Sequence, residues 1–535
     1  MNSVNYSNRQ PSTAEVAELR KQKEVFPPCQ AACPAGVRAR DYIALITQGY
    51  YLDAVNVIRQ NMPFPSACGR ICQHPCEPEC NRRLADEPVS IMHLKRFASD
   101  YEFKIQATVE PLPKIESEEI AIIGAGACGL TAAQDLTRLG YPVTVFEALP
   151  FPGGTLRAAL PIYRLPRELL DWDIHNIFAL GIKLNANTVL GKDVSLTELK
   201  DDGYKAVLLA TGAERSHRTT KVEKGIFGEG DLVSGTVWTV QAVGTGHKAA
   251  SLIHSYLKGH PNAEMAKPSV ARLEASEVQK RIKEGQVNPQ LRYPMPLWEG
   301  RKTELGFMEM ELGYDEETAL KEASRCLSCG AAEIIKDKCP VCLTCLRLCP
   351  YDAPTITTGS IVEIRASLCR ACGLCVNECP ANAIAFTMPG LKDINWRIES
   401  TLSQLPNTET KVLAFYCSYR LPSVTTYAQF LNMKPANLAV VLVPCIAKIG
   451  VTNFLKAIEL GTDVVLVMAC SEPDCPYQHS MFWLQHRIET AKNILKQLGL
   501  GTKILSVHKM PASDMIKFDR TTELIAELKS KTQNP

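Results

Sequence analysis

The chain has 535 residues, enough for about three to four domains, and its 46% hydrophobic content is ordinary for packed cores. Lys and Arg number 59 against 57 Asp and Glu, and a net charge of +2 gives no reason to expect nucleic acid or an anionic membrane surface as a partner. No apolar run approaches the roughly 18 residues of a membrane span, and the polar N-terminus lacks a signal core, so the sequence reads as cytoplasmic, without membrane insertion. Cysteine decides the class. There are 21, grouped at spacings of two or three residues. That is too tight for a disulfide framework in a long chain and points to metal.

In chain order, residues 1–25 read as a flexible lead. Residues 26–117 hold Cys29, Cys33, Cys68, Cys72, Cys76 and Cys80 among short helical patterns such as DYIALITQGYYLDAVNVIRQ. Residues 118–258 alternate strand and helix: EEIAIIGAG is an apolar strand running into glycines, TAAQDLTRLG a helix with a Gly stop, and YPVTVFE the next strand. Gly124, Gly126 and Gly129 lie between strand and helix, and Glu147 ends the following strand. This is the dinucleotide fingerprint in its proper context. The glycines permit close approach, the helix N-terminus faces the pyrophosphate and the acid faces the ribose. Cys128, inside the motif, reads as a small buried residue and not a redox thiol.

Residues 259–330 read as a connecting arm that ends in RCLSCG, with Cys326 and Cys329. Residues 331–388 contain KCPVCLTCLRLCP and LCRACGLCVNECP. The doubled C-x2-C-x2-C-x3-C-P run has the two-cluster ferredoxin spacing, in which the fourth cysteine of each run serves the other cluster. It predicts one [4Fe–4S] on Cys339, Cys342, Cys345 and Cys379, and another on Cys369, Cys372, Cys375 and Cys349; a pair of zinc sites is the alternative. After a linker over 389–410, residues 411–535 return to alternation, with strands KVLAFYC, LAVVLVPC, DVVLVMAC and KILSVHK. Cys417, Cys445 and Cys470 each end a predicted parallel strand, and Cys475 follows. Carboxyl ends of strands in a doubly wound sheet line one crevice, so these four thiolates suit a [2Fe–2S] cluster; buried strand-end cysteines are the alternative. His479 and His486 read as surface or packing residues on the next helix.

Residues 29–330 resemble the glutamate synthase small subunit and the matching domains of dihydropyrimidine dehydrogenase. The resemblance is carried by CQAACP, NMPFPSACGRICQHPCEPEC, HLKRFASD, IIGAGACG and GEGD. FPGGTLR, with Gly154, and GIFGEGD, with Gly230 and Asp231, look like downstream segments of flavoproteins with two dinucleotide-binding domains. The resemblance implies FAD, with Asp231 toward its ribityl or phosphate end and TVQAVGTGHKAASLI as the helix over the flavin. It departs at the nicotinamide domain. Only residues 213–230, 18 of them, separate Ala210-Thr211-Gly212 from Asp231, and a βαβ unit needs roughly 30. The design is then closer to the A subunit of heterodisulfide reductases, with no hydride taken from NAD(P)H. The last 125 residues resemble the delta subunit of methyl-viologen-reducing hydrogenase, with Cys417 of FYCSYR as the only candidate at its first strand.

In the dehydrogenase relatives a CxxC pair precedes the CxxxCP segment and joins a later cysteine around one [4Fe–4S]. Here the first 28 residues contain no cysteine. The resemblance therefore implies that the arm carries Cys326 and Cys329 back to complete a cluster with Cys29 and Cys80. Cys33, Cys72 and Cys76 would hold a second, with Lys95 a poor fourth ligand, His93 a weak substitute and Cys68 a spare packing residue. The expected fold is multidomain α/β: a helical iron–sulfur domain, a Rossmann-like FAD domain lacking the NAD(P) domain, a 2[4Fe–4S] ferredoxin-like domain and a C-terminal doubly wound domain. The expected cofactors are FAD, three or four [4Fe–4S] clusters and a [2Fe–2S]. The expected function is an electron-transfer subunit of a multi-subunit oxidoreductase, with electron bifurcation implied by resemblance. Its expected partners are a hydrogenase, a formate dehydrogenase or heterodisulfide reductase-like proteins, with ferredoxin as a further one. A glutamate synthase-type NADPH reductase and a zinc-bearing scaffold are the alternatives.

Overall fold

The computed structural model describes residues 25–107, 109–114, 116–212, 225–228, 238–258, 269–270, 272–298, 309–357, 361–365, 368–369, 372–386, 394–403, 405, 410–417, 437–443, 445–470, 480–500 and 504–510. The chain divides into two compact units, Phe26–Gly259 with Arg272–Cys329, and Gly330–Pro535 with two short segments from earlier in the chain. Among the described residues no helix is long and apolar enough to cross a membrane.

The first unit opens with helices α1 (Pro28–Ala31), α2 (Ala39–Ile46), α3 (Tyr51–Arg59), α4 (Pro65–Ile71) and α5 (Ile91–Ile105). α2 and α3 bury Tyr42, Ile43, Ile46, Ala54, Val55 and Ile58, the one-sided apolar stripe of helices facing a core. α4 crosses α5 at Gly69, where a Cβ would lie 2.7 Å from the Arg96 Cα, so no larger residue allows this approach. Arg59 closes the domain by binding Glu102 through Nε (3.0 Å) and Nη2 (2.5 Å).

A five-stranded parallel sheet follows: β1 (Ile120–Ile123), β2 (Val143–Phe146), β3 (Lys183–Asn185), β4 (Ala206–Leu209) and β5 (Ile226–Gly228), in the order β3-β2-β1-β4-β5. β1 and β2 are buried along their whole length, the continuous apolar run of a parallel strand covered on both faces. Helix α6 (Ala127–Arg138) follows the glycine loop, and α7 (Arg167–Phe178) and α8 (Thr239–Leu257) come later. Asp173 of α7 accepts from the Ser66 and Ala67 amides (3.3 and 3.0 Å) and so ties the sheet domain to the start of α4. β4 and β5 are neighbours in one sheet, joined by residues 210–225.

α8 lies on α6 because Gly246 has no side chain; a Cβ there would sit 2.5 Å from the Cys128 carbonyl oxygen. One residue on, His247 holds Asp135 of α6 through Nδ1 (2.5 Å) and the Asn61 carbonyl through Nε2 (2.9 Å). Burial opposes a charge on His247, but the Asp135 carboxylate outweighs it and raises the imidazole pKa. A raised folded pKa gives stability that is complete below the ordinary value of about 6.5 and lost as pH rises through the folded value. His247→Gln should therefore cost about 2 kcal/mol at pH 6. Urea unfolding between pH 6 and 9 should show that the variant has lost the part of the wild-type decline that this histidine causes.

The arm returns to the helical domain. Helix α9 (Glu316–Ser324) buries Glu322, whose Oε1 accepts from the Ser90 amide (2.7 Å). Arg325 binds Asp86 (3.1 Å), Glu322 (2.7 Å) and the Glu87 carbonyl (2.6 Å).

In the second unit, β6 (Ala332–Ile334) pairs antiparallel with β9 (Ile384–Phe386), and β7 (Pro354–Thr357) with β8 (Ile361–Ile364). Short helices α10 (Thr344–Leu348) and α11 (Leu374–Asn377) each carry the third cysteine of a run. Then come α12 (Ile394–Leu402), β10 (Val412–Cys417), β11 (Leu438–Val443), α13 (Val451–Glu459), β12 (Val464–Cys470), α14 (Ser480–Gln497) and β13 (Ile504–Met510). The four strands form a parallel sheet in the order β11-β10-β12-β13.

The second half of the cysteine run is seated on this sheet domain. Arg487 of α14 binds Glu378 (2.5 Å) and donates to the Ala447 and Ile449 carbonyls (2.7 and 3.1 Å). Asn377 donates to the Ala447 carbonyl (2.9 Å). Gly373 lies so close to Lys448 that a Cβ would fall 2.6 Å from its Cγ. Lys448 Nζ stands 4.5 Å from the centre of the Phe386 ring.

Candidate iron–sulfur and dinucleotide sites

Four cysteines from three distant stretches line one pocket in the first unit: Cys29, Cys80, Cys326 and Cys329. Cys29 follows the Pro27-Pro28 start of α1 and Cys80 precedes a short turn of helix. The other two arrive on the arm just after α9. Asn81 Nδ2 donates to Cys329 Sγ (3.2 Å) and the Ser328 amide to Cys326 Sγ (3.4 Å). Arg40 Nη1 donates to the Cys329 carbonyl (3.1 Å) and Arg82 Nη1 to the Arg325 carbonyl (2.9 Å), fixing the returning arm. Burial, then mutual repulsion with Cys80, raises the thiol pKa values, well above the usual range for Cys29 and to about 12 for Cys326; Cys329 is pushed to about 11 mainly by burial. Buried thiols so crowded are poor proton carriers and good metal ligands, because coordination deprotonates them outright.

A second thiol group adjoins it. Cys33, Cys68, Cys72 and Cys76 all act on the Lys95 ammonium, which is itself buried. The His74 amide donates to Cys72 Sγ (3.3 Å). Tyr42 stands between the groups, with Cys76, Cys29 and Cys33 all acting on it, and donates to the Ile91 carbonyl (2.8 Å). His93 is engaged by the Tyr314 hydroxyl (3.3 Å), with its pKa lowered to about 4 by burial and then by Arg292.

In the second unit, Cys339, Cys342, Cys345 and Cys379 line one pocket. Cys349, Cys369, Cys372 and Cys375 are mutual neighbours: Cys375 is raised by burial and then by Cys369, Cys372 and Cys349. The Ala332 amide donates to Cys369 Sγ (3.3 Å) and the Ala383 amide to Cys379 Sγ (3.2 Å). Left-handed backbone marks the loops that carry cysteines: Ser328, His74, Val341, Leu343 and Gly373. Four of these five are not glycine, and such conformations persist only where the surroundings impose them. The two runs match at two positions. Leu343 and Gly373 each follow the second cysteine, and Asp352 and Asn382 each lie three residues past the fourth.

Among the described residues no three His, Cys, Asp or Glu close around a single point as ligands of one ion do.

The glycine loop fits a dinucleotide. A Cβ on Gly124 (φ +110°) would lie 2.4 Å from the Ala210 carbonyl oxygen, and one on Gly129 would lie 2.1 Å from that of Gly124, whereas one on Gly126 meets nothing within 4 Å. Gly126 is where the backbone is open to a pyrophosphate. Gly154 (φ +50°) covers it, its Cβ position 2.9 Å from the Gly126 Cα, and Gly153 donates to the Ala125 carbonyl (2.8 Å). Glu147 is buried and accepts from the Ala125 and Leu149 amides (2.8 and 2.9 Å). It thus braces the loop, and a carboxylate has lone pairs left for a ribose hydroxyl. Gly230 and Asp231 lie outside the described residues.

In the C-terminal sheet, Cys417 and Cys470 end β10 and β12, and Cys445 lies two residues past β11. The parallel register, Cys417 opposite Val443 and Tyr416 opposite Met468, brings all three to one edge of adjacent strands. Cys475 and His479 lie outside the described residues, and His486 packs edge-on to Trp483. Sequence reasoning missed Asn81, Gly153, Lys448 and Arg487; each acts across a long-range contact that no local spacing encodes.

Four family models match: dihydropyrimidine dehydrogenase domain II, 4Fe-4S cluster (residues 9–107), NAD(P)-binding Rossmann-like domain (122–192), 4Fe-4S binding domain (362–385) and methyl-viologen-reducing hydrogenase, delta subunit (412–530). The NADPH-Fe(3+) oxidoreductase subunit beta of Geobacter sulfurreducens is 45% identical over 192 residues, covering 35% of this chain and 28% of that one. The NADP(+)-dependent formate dehydrogenase subunit beta of Moorella thermoacetica is 39% identical over 248 residues, 42% of this chain and 34% of that one. The NAD-dependent dihydropyrimidine dehydrogenase subunit PreT of Salmonella typhimurium is 37% identical over 187 residues, 35% and 45%. The match spans less than half the length of each relative. Part by part, the chain is similar to oxidoreductase subunits, with 4Fe–4S domains, a Rossmann-like domain and a hydrogenase delta-like domain in one polypeptide.

Proposed function

We propose that the chain is a flavin- and iron–sulfur-based electron-transfer subunit of a larger oxidoreductase, exchanging electrons with protein partners. The observation that carries this reading is the contact between a cysteine group and the dinucleotide frame of residues 120–147. A Cβ on Gly244 of α8 would fall 2.6 Å from the Pro34 carbonyl oxygen, and two residues on Gly246 rests on Cys128 of the glycine motif. The Cys33-Pro34 segment is thus packed on the helix that borders the dinucleotide loop.

Gly124, Gly126, Gly129, Glu147 and Gly154 would hold FAD, with Gly230 and Asp231 completing its frame. Bound flavin supplies two-electron chemistry divisible into single steps, which suits one-electron clusters. The residues of the chain hold Glu147 against the loop and donate N–H groups to the sulfurs. Cys29, Cys80, Cys326 and Cys329 are assigned one [4Fe–4S], Cys33, Cys72 and Cys76 belong to a second, and the two ferredoxin quartets hold two more. Cys417, Cys445, Cys470 and Cys475 are assigned a [2Fe–2S] in the delta-like domain, toward a hydrogenase, formate dehydrogenase or heterodisulfide reductase-like partner, and ferredoxin is a further partner. The organisation resembles heterodisulfide reductase A more than glutamate synthase, and electron bifurcation is compatible with it.

The relatives named for NADPH or NAD favour a second reading, in which this chain takes a hydride itself. Against it, β4 and β5 are adjacent strands of one sheet with only residues 210–225 between them, so a second dinucleotide fold has no place there. Anaerobic stopped-flow decides. Dithionite should bleach the bound flavin while NADPH and NADH leave it oxidised, and rapid bleaching by either nicotinamide overturns the proposal. In the same preparation, Cys445→Ser should remove the [2Fe–2S] signal in electron paramagnetic resonance (EPR) and spare the others; an unchanged signal withdraws the assignment.

A further inference from the structure

α4 carries two cysteines, and only one of them was given a purpose by spacing. Cys72 is the C-cap of the helix, and Cys68 lies one turn before it, fully buried. Residues four apart share a helix face, so both sulfurs look the same way. That face is held against α5 at the Gly69–Arg96 crossing, which brings Lys95, the neighbour of Arg96, up to it. Cys76 follows on the next turn of chain, and Cys33 comes from the loop after α1.

We propose that Cys68 is the fourth thiolate of a second N-terminal [4Fe–4S] site with Cys33, Cys72 and Cys76, and that Lys95 is its fixed counter-charge and not a ligand. The inference rests on the iron–sulfur reading above. The environment of Lys95 supports it. Lys95 is buried, and Cys72, Cys68, Cys76 and Cys33 all lie close enough to act on its charge. All four sulfurs therefore face one cation. Cys68 in turn is acted on by Lys95, Cys72, Asp173 and Cys33, and Cys76 by Cys33, Lys95, Glu77 and Cys72. An ammonium buried among neutral thiols is left without a counter-charge. On cluster binding each thiol releases its proton to solvent, and a cube with four thiolates carries a net charge of roughly −2 in its oxidised state. The ammonium then has the anion that its position requires. A nearby positive charge also favours the reduced cluster. Cys68 as mere core filling explains neither its facing nor the lysine.

The test uses the full chain, purified without oxygen and reconstituted with iron and sulfide. Iron and sulfide per chain are measured together with the EPR spectrum of the reduced protein. Cys68→Ala should lose the same share of iron as Cys33→Ala and the same spectral component. Lys95→Met should keep that iron, and a redox titration should place the component at a lower potential than in the wild type. Wild-type iron and spectrum in Cys68→Ala, with loss in Cys33→Ala, overturns the proposal. So does loss of the component in Lys95→Met, which would make lysine a ligand. If Cys68→Ala does not fold, Cys68→Ser and the Lys95→Met titration decide by the same criteria. If neither Cys33→Ala nor Cys329→Ser loses iron, the underlying cluster reading fails instead, a distinct outcome.

Discussion

Cys329→Ser is expected to lose one cluster's iron and sulfide and its EPR component, and to destabilise the first unit by about 4 kcal/mol or more, the range in which metal sites fall. Cys329 shares a pocket with Cys29, Cys80 and Cys326. Its sulfur and carbonyl take hydrogen bonds from Asn81 and Arg40. Serine keeps the carbonyl bond and much of the volume but offers a poorer ligand, so a purely structural cysteine would tolerate the change. Cys128→Ser, in the glycine motif, should leave the iron unchanged and serves as the control. Unchanged iron, spectrum and urea midpoint in Cys329→Ser would remove this cluster from the protein.

The second large effect separates folding from binding within one loop. Gly129→Ala forces a Cβ to 2.1 Å from the Gly124 carbonyl oxygen, a backbone atom that cannot rotate away. We expect a loss of about 3 kcal/mol or more, and no bound flavin. Gly126→Ala adds its methyl where nothing lies within 4 Å, so the urea midpoint should stay close to that of the wild type. The methyl stands where the pyrophosphate approaches the backbone, and FAD affinity should fall about tenfold or more. Flavin content and absorbance after gel filtration, read beside thermal unfolding, check both. A Gly126→Ala chain with undiminished flavin would place the dinucleotide elsewhere.

What the sequence disclosed follows the range of each interaction. The ferredoxin quartets were legible because three ligands of each lie at C-x2-C-x2-C spacing and the run is doubled, so that each run's last cysteine has the other's quartet to join. The glycine loop was legible because strand, loop and helix are consecutive. The pocket of Cys29, Cys80, Cys326 and Cys329 needed a resemblance, since nearly 250 residues separate Cys80 from Cys326. Cys68 was read as a spare packing residue because a cysteine one helical turn before another looks like core, and only the fold brings Lys95 beside it. The seating of the second cysteine run against the loop after Cys445 was not legible at all. It depends on Gly373, Lys448 and Arg487, which are far apart in sequence and ordinary in type. Glu147 was placed correctly at the end of its strand, but its bonds to the Ala125 and Leu149 amides appear only in three dimensions.

The Arg487, Asn377 and Gly373 contacts pin the loop after Cys445 against the helix that carries Cys375. Exchange between the sites assigned to these cysteines is then a unimolecular event over a fixed gap. Its rate should not vary with protein concentration or solvent viscosity, as a diffusing ferredoxin's would. A partner docking on the delta-like domain, as proposed above, would face the opposite regime, a bimolecular encounter sensitive to salt wherever charges steer it. The chain thus separates two kinetic problems, so the association step with a partner can be tuned without disturbing the internal one.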